Sequence, residues 1–339
     1  MRFPGIAAAR GVMLGLLLGD ALGAARGKPP AAGPLRAGTG GQLACWTVEG
    51  MIRAHVRGMH KGITTVPGVV WYAYRRWAAV RGDVPAAGRD DAWWRDSGWL
   101  MHVPVLAERR GTAPATVAAL GSGRQGTVAE PTGTSVGAHA VTRTLPAALC
   151  SWWTSDAGPA AQIAALTHTG EAITAAARAA DLVAAVAQGT DLTEAVAGLP
   201  ARELPPMPLV PASVLNLARS TPRDPSVLRR LAPNGAATSA LAGGLYAAAT
   251  VDAPAQIAEA LTFAASAGDG GHAATVAGAL LGARFGPGGL PVDLVARLEL
   301  VWVGDTLARD LVQQVEESPS GNEYAPAPDA TWWDRYPGF

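Results

Sequence analysis

The 339 residues are enough to bury a large core, and 49% of them are hydrophobic while only 16% are charged. Basic and acidic residues balance at 27 each, so no global field exists to attract nucleic acid or an anionic membrane. Two cysteines, Cys45 and Cys150, exclude a disulfide framework and suit free, buried thiols in a reducing compartment.

Small residues dominate, and β-branched or aromatic runs are scarce, so the chain is expected to be all-α: closely packed Ala-rich helices with essentially no sheet. The N-terminal stretch imitates a signal peptide, with Arg2 and Arg10 ahead of Val12–Leu18. Gly15, Gly19 and Asp20 interrupt it, so residues 5–25 read as a buried first helix, and the expectation is a cytoplasmic protein without a membrane span. A second helix opens at Thr39-Gly40-Gly41-Gln42 and runs through Trp46, Glu49 and Ile52. Residues 121–137, rich in Gly, Ser and Thr, are expected to form a long loop. From Ile163 to Val186, apolar residues recur every three or four positions, with an offset near Gly170 where two helices meet. Residues 201–225 carry many prolines and are expected to form a second long loop. Further stripes follow at Ile257, Leu261 and Ala265, and at Val276, Leu280 and Phe285, the last ended by Gly286-Pro287-Gly288. No internal break in composition appears, so residues 1–339 are expected to form a single domain with a core over about 8–312. The aromatic-rich tail, residues 317–339, is expected to dock back on it.

Four segments carry chemistry. They are Gly15–Gly23 with Asp20; Thr39-Gly40-Gly41-Gln42; Gly137-Ala138-His139 through Arg143, paired with Thr167-His168; and Asp269-Gly270-Gly271-His272. Taken in order, with the Ala-Gly-Ala-Leu-Leu-Gly run at 277–282, they make the chain resemble the ADP-ribosylglycohydrolase family over about residues 8–312. The resemblance implies a compact helical fold with a cleft for ADP-ribose or an ADP-ribosylated protein. It also implies departures from the family pattern. Where the family reads Thr-Asp-Asp-Thr, this chain has Thr39-Gly40-Gly41-Gln42, and where it reads Asp-x-Asp-Thr, this chain has Asp269-Gly270-Gly271-His272. In family members those acids hold a pair of magnesium ions, and magnesium depends on anionic oxygen ligands. Asp269 alone of the four aspartates persists, so no metal and no other cofactor is expected here.

The resulting expectation is a catalytically inactive homologue that binds ADP-ribose or a related phosphorylated ligand. Thr39, Gly40, Gly41, Gly137, His139, His168, Gly270 and Gly271 are the candidate ligand-binding residues, and no nucleic-acid or membrane partner is expected. Two Gly-Gly turns, each opening a helix, are expected to offer free N–H groups to an anion. Two alternatives stand beside this. Asp269 and His272 could run a metal-poor hydrolysis, or the chain could be a ligand-free scaffold. Each signal also has a plain structural reading: Asp20 and Asp269 as helix caps, His168 as an internal histidine, Arg143 as a loop clamp, and Trp93-Trp94 and Trp152-Trp153 as packing edges.

Overall fold

The computed structural model describes residues 5–83, 97–153 and 155–338, so the Trp93-Trp94 pair lies outside the described residues. The chain runs through α1 (Ile6–Ala24), α2 (Thr39–Lys61), α3 (Val66–Val80), α4 (Pro114–Gly121), α5 (Pro159–Ala165), α6 (Glu171–Ala187), α7 (Pro211–Ser220), α8 (Ala237–Ala248), α9 (Ile257–Ala265), α10 (His272–Gly289) and α11 (Val301–Glu316), with shorter turns between them. The fold is all-α. Strand-type pairing is limited, among the described residues, to three isolated β-bridges.

The helix pair α1 and α10 forms the centre, packed more extensively than any other pair of elements. Its sequence basis is a four-residue glycine spacing. Gly11, Gly15, Gly19 and Gly23 share one face of α1, and a Cβ on any of them would run into the main-chain carbonyl of Gly282, Gly278, Ala274 or Gly271. Without side chains in the way the two backbones touch, as small residues permit in any close helix pair. The remaining sides of α1 bury Val12, Met13, Leu16, Leu17, Leu18 and Leu22. By length and composition α1 is the one helix among the described residues able to cross a membrane, yet 78% of its apolar window is buried inside the protein. It is a core helix here.

Around this pair, α8 and α9 pack on α10, α11 on α1, and α2 on α3. One hydrophobic cluster runs from Ala9 to Tyr336. Gly170, with φ of +57°, separates α5 from α6 at the offset in the apolar stripe. At Gly286 (φ +66°, ψ −179°) the helical path of α10 breaks, which is the Gly-Pro-Gly stop signal at work. Of residues 121–137, Gly121 ends α4 and the rest are irregular, tied down by the Thr132 amide donating to Ala165 O at 3.3 Å. The second expected loop is corrected: residues 201–225 contain α7. Its Pro211 sits at the first turn, where the missing N–H costs nothing, and Val214, Leu215 and Ala218 form its buried stripe. The tail packs back, with Trp332 and Tyr336 buried and the Tyr336 hydroxyl donating to Asp310 Oδ2 at 2.5 Å.

Candidate functional site

The start of α2 is capped from another helix. Asp20, one turn from the end of α1, accepts the Gly38 N–H on Oδ2 at 2.5 Å, and the Gly41 amide also reaches its carboxylate. Those amides favour the ionised form, but burial outweighs them and pushes Asp20 up to about 6. Gly40 and Gly41 lie beneath this carboxylate. A Cβ at Gly40 would stand 2.8 Å from Asp20 Oδ1, and one at Gly41 would stand 2.6 Å from Oδ2. Thr39 is buried, and its hydroxyl has no hydrogen-bond partner among the described residues. Gln42, in the place of the family's second threonine, turns its amide to Val105 O at 2.8 Å and Glu108 O at 2.9 Å.

The start of α10 is capped from its own chain segment. Asp269 accepts the Gly271 N–H on Oδ1 at 2.8 Å and the Ala273 N–H on Oδ2 at 2.5 Å. Burial raises this acid to about 6 as well. Gly270 and Gly271 have φ of +94° and +91°, in the left-handed region that favours glycine. A Cβ at Gly271 would also lie 2.6 Å from the Cα of Gly23. The main chain of α1 occupies the space that a side chain at 271 would need.

One expectation changes on this geometry. In each Gly-Gly turn the second glycine's N–H is not open to an anion, because Asp20 already accepts from Gly41 and Asp269 from Gly271. A buried helix start has to satisfy its donors internally, and a carboxylate does so best. The oxygen donors also do not make up a magnesium pair's set. Both oxygens of Asp269 and one of Asp20 are spent on amides, and position 271 has no room for an acid. Among the described residues no group of three or more His, Cys, Asp or Glu side chains is placed to hold a metal ion.

Three histidines gather between the turns. His139 starts the short helical turn His139–Thr142, which the Ala138 N–H anchors to Gly235 O at 2.9 Å. The His139 and His272 rings meet edge to face, with centroids 5.2 Å apart and planes at 82°. Burial, then His272, Arg143 and Arg81, hold His139 down at about 3. Burial and then Arg26 hold His272 at about 4. Burial, Arg143 and His139 keep His168 well below the ordinary imidazole range. All three rings are therefore neutral at pH 7. His168 is buried, its Nδ1 lies 2.7 Å from Thr167 Oγ1, and that hydroxyl accepts from Arg143 Nη2 at 2.6 Å. Arg143 also donates to the Ile163 and Ala164 carbonyls at 3.4 Å, so it is an internal clamp that positions His168.

The short turn joins the two halves of the site. Thr142 would touch a Cβ at Gly40 through its Oγ1 at 2.9 Å, and it follows His139 in the same helical turn. Like Thr39, it has a buried hydroxyl without a partner among the described residues. Gly137 faces His168, whose Nε2 would lie 3.7 Å from a Cβ there. The residues singled out from sequence thus converge, with Gly270 and Gly271 serving as backbone spacers. Arg26 escaped the sequence reading. It follows α1 with φ of +52°, and its charge acts on both Asp269 and His272. A basic residue directly after a glycine-spaced helix was the available signal. Cavities of about 620, 500 and 480 Å³ lie elsewhere, and none is lined by Thr39, His139, His168, Asp269 or His272.

Comparison with known proteins gives this geometry a context. The sequence model of the ADP-ribosylglycohydrolase family matches residues 6–321. A solved chain from an ADP-ribosylglycohydrolase-related protein complex superposes with a TM-score of 0.54 at 20% identity, covering 91% of this chain and 98% of that one. At that identity the likeness shows the fold alone. No curated protein matches the sequence. The family match spans most of the chain, and the chain belongs to the ADP-ribosylglycohydrolase family.

Proposed function

We propose that this family member does not hydrolyse ADP-ribosyl bonds through a magnesium pair, and that it binds ADP-ribose or a related phosphorylated nucleotide without metal. The observation that carries the reading is the commitment of both turn carboxylates, Asp20 to the amides of α2 and Asp269 to those of α10. An acid holding two main-chain N–H groups would have to uncap a helix before it could bind a cation or activate water. Such caps are worth about 0.5–2 kcal/mol each.

Support for an anionic ligand comes from side chains instead of helix ends. Arg26 makes no ion pair among the described residues and lies beside His272. His139 and His272 keep part of their surface on solvent, and as neutral rings they can donate or accept. Thr39 and Thr142 add hydroxyls that have no hydrogen-bond partner among the described residues. The same groups offer no route to hydrolysis. His272 stacks on another neutral imidazole, and the one nearby acid, Asp269, is occupied. We place this binding in the cytoplasm, where the two buried thiols stay reduced.

The test is a thermal-shift titration with ADP-ribose, with and without magnesium, beside an assay for ADP-ribose released from a modified protein. A ligand that binds only the folded state raises its melting temperature. Stabilisation that is independent of magnesium, with no release, is the expected result. Release at an enzymatic rate would refute the non-hydrolytic reading, and no response to any nucleotide would refute the binding one.

A further inference from the structure

A second site lies on the far half of α2. There a cavity of about 620 Å³ opens between α2, α3, the 121–137 loop and the tail, within the size range of small-molecule pockets. It is separate from the site above, because Arg53 sits about 21 Å along α2 from Thr39 at about 1.5 Å of rise per residue.

Its lining, among the described residues, includes Arg53, Arg57 and Arg76 and no acidic side chain. Arg53 and Arg57 are four residues apart and so share a face of α2, while Val69, Tyr72 and Arg76 share a face of α3. Two of the arginines are fixed. Arg53 pairs with the buried Glu49 and donates to Ser97 Oγ at 2.9 Å, and Arg76 Nη2 meets the other Glu49 oxygen at 2.6 Å. Burial and the like charge of Arg76 both push the Arg53 guanidinium down, as crowded cations should. They supply field while Glu49 and Ser97 hold them in place. Arg57 differs. It is half-buried and makes no ion pair or side-chain hydrogen bond among the described residues. Beside it, the Thr64 hydroxyl is shielded from solvent and has no partner among the described residues, and Thr65 and Gln125 add further polar atoms. Tyr72, Val69 and Ile63 form the apolar side, and Ile63 is 72% exposed.

We propose that this cavity binds a small organic phosphate, with the phosphate on Arg57 and Thr64 and its aromatic or aliphatic body against Tyr72, Val69 and Ile63. Phosphate suits it better than carboxylate because several donors converge here, and a phosphate presents three strong acceptor oxygens and close to two charges. The planar fork of Arg57 can hold two of those oxygens. Arg53 and Arg76 stabilise the charge through space, in a lining that holds no described carboxylate to oppose it.

Calorimetric titration of the full chain with phenyl phosphate, benzoate and phenol tests this. Phenyl phosphate should bind saturably and about tenfold or more tighter than benzoate or phenol, since one charge-assisted hydrogen bond is worth about that factor. Arg57→Glu should abolish the binding and Arg57→Lys should keep part of it. Both variants should melt like the parent, because Arg57 has no partner to lose among the described residues. His272→Ala should leave phenyl phosphate binding unchanged while it weakens ADP-ribose binding at the other site, so the two proposals fail separately. Absence of saturable heat at millimolar phenyl phosphate would overturn the proposal. Benzoate or phenol binding as tightly, or unchanged affinity in Arg57→Glu, would overturn it equally.

Discussion

At the start of α2 the capping acid reaches in from α1, eighteen residues earlier, whereas at the start of α10 it sits two residues before the amide it holds. Both turns carry a glycine pair and both caps are raised to about 6, yet the glycines are there for different reasons. At Gly40 and Gly41 the obstacles to a Cβ are side chains, Asp20 with Thr142 at Gly40 and Asp20 with Leu17 at Gly41, and side chains can give. At Gly271 the obstacle is the main chain of Gly23, and the backbone is left-handed as well. One turn is shaped by a neighbour's side chain and the other by the contact between two helices. An aspartate restored at 41 would contend with the side chains of Asp20 and Leu17, while an aspartate restored at 271 would have to part α1 from α10.

The largest effect should come from testing that asymmetry directly. Gly271→Ala should cost at least about 4 kcal/mol, because it adds backbone overlap to a left-handed strain. Gly41→Ala should cost about 1–3 kcal/mol, the ordinary range for overpacking against a side chain that can give. Urea unfolding of both variants gives the numbers, and equal losses would erase the distinction between the turns.

A second experiment asks whether the caps are alike in their chemistry. Asp20 has a folded value of about 6 against an ordinary 3.8, so the folded state holds its proton more tightly than the unfolded chain does. The stability this contributes is present below the ordinary value and is lost as pH rises through the folded one. Relative to Asp20→Asn, the parent should therefore lose about 3 kcal/mol between about pH 4 and about pH 6 and change little above that. Asp269→Asn should show the same direction in the same window. Denaturant melts at each pH decide it, and a stability gain of the parent over that interval would show that the amide bonds, not burial, control the pair.

The smallest effect on stability should come at Thr39. Its hydroxyl has no partner to lose among the described residues, so Thr39→Val should shift stability by less than about 0.5 kcal/mol. The same variant should weaken ADP-ribose binding in the thermal-shift titration. A large destabilisation would mean that the hydroxyl serves the fold of the α2 turn.

Much of this molecule was settled locally. The Ala-rich composition, the three- and four-residue apolar spacing, Gly170 between α5 and α6, and the Gly286-Pro287-Gly288 break are properties of short windows, and the structure places helices and stops where those windows put them. The order of the four motifs likewise sufficed to indicate the family. The α7 helix was hidden because a proline-rich stretch reads as a loop until Val214, Leu215 and Ala218 find a surface to cover. What the turns do was beyond any window. Sequence showed two acids beside glycines, but not that Asp20 would turn across to the amides of α2, nor that Gly23 would fill the space beside Gly271. Those outcomes depend on how closely two helices some 250 residues apart approach, which only packing decides. The placement of Arg26 beside His272, and of Arg57 in a lining without a described acid, follows from the same long-range packing.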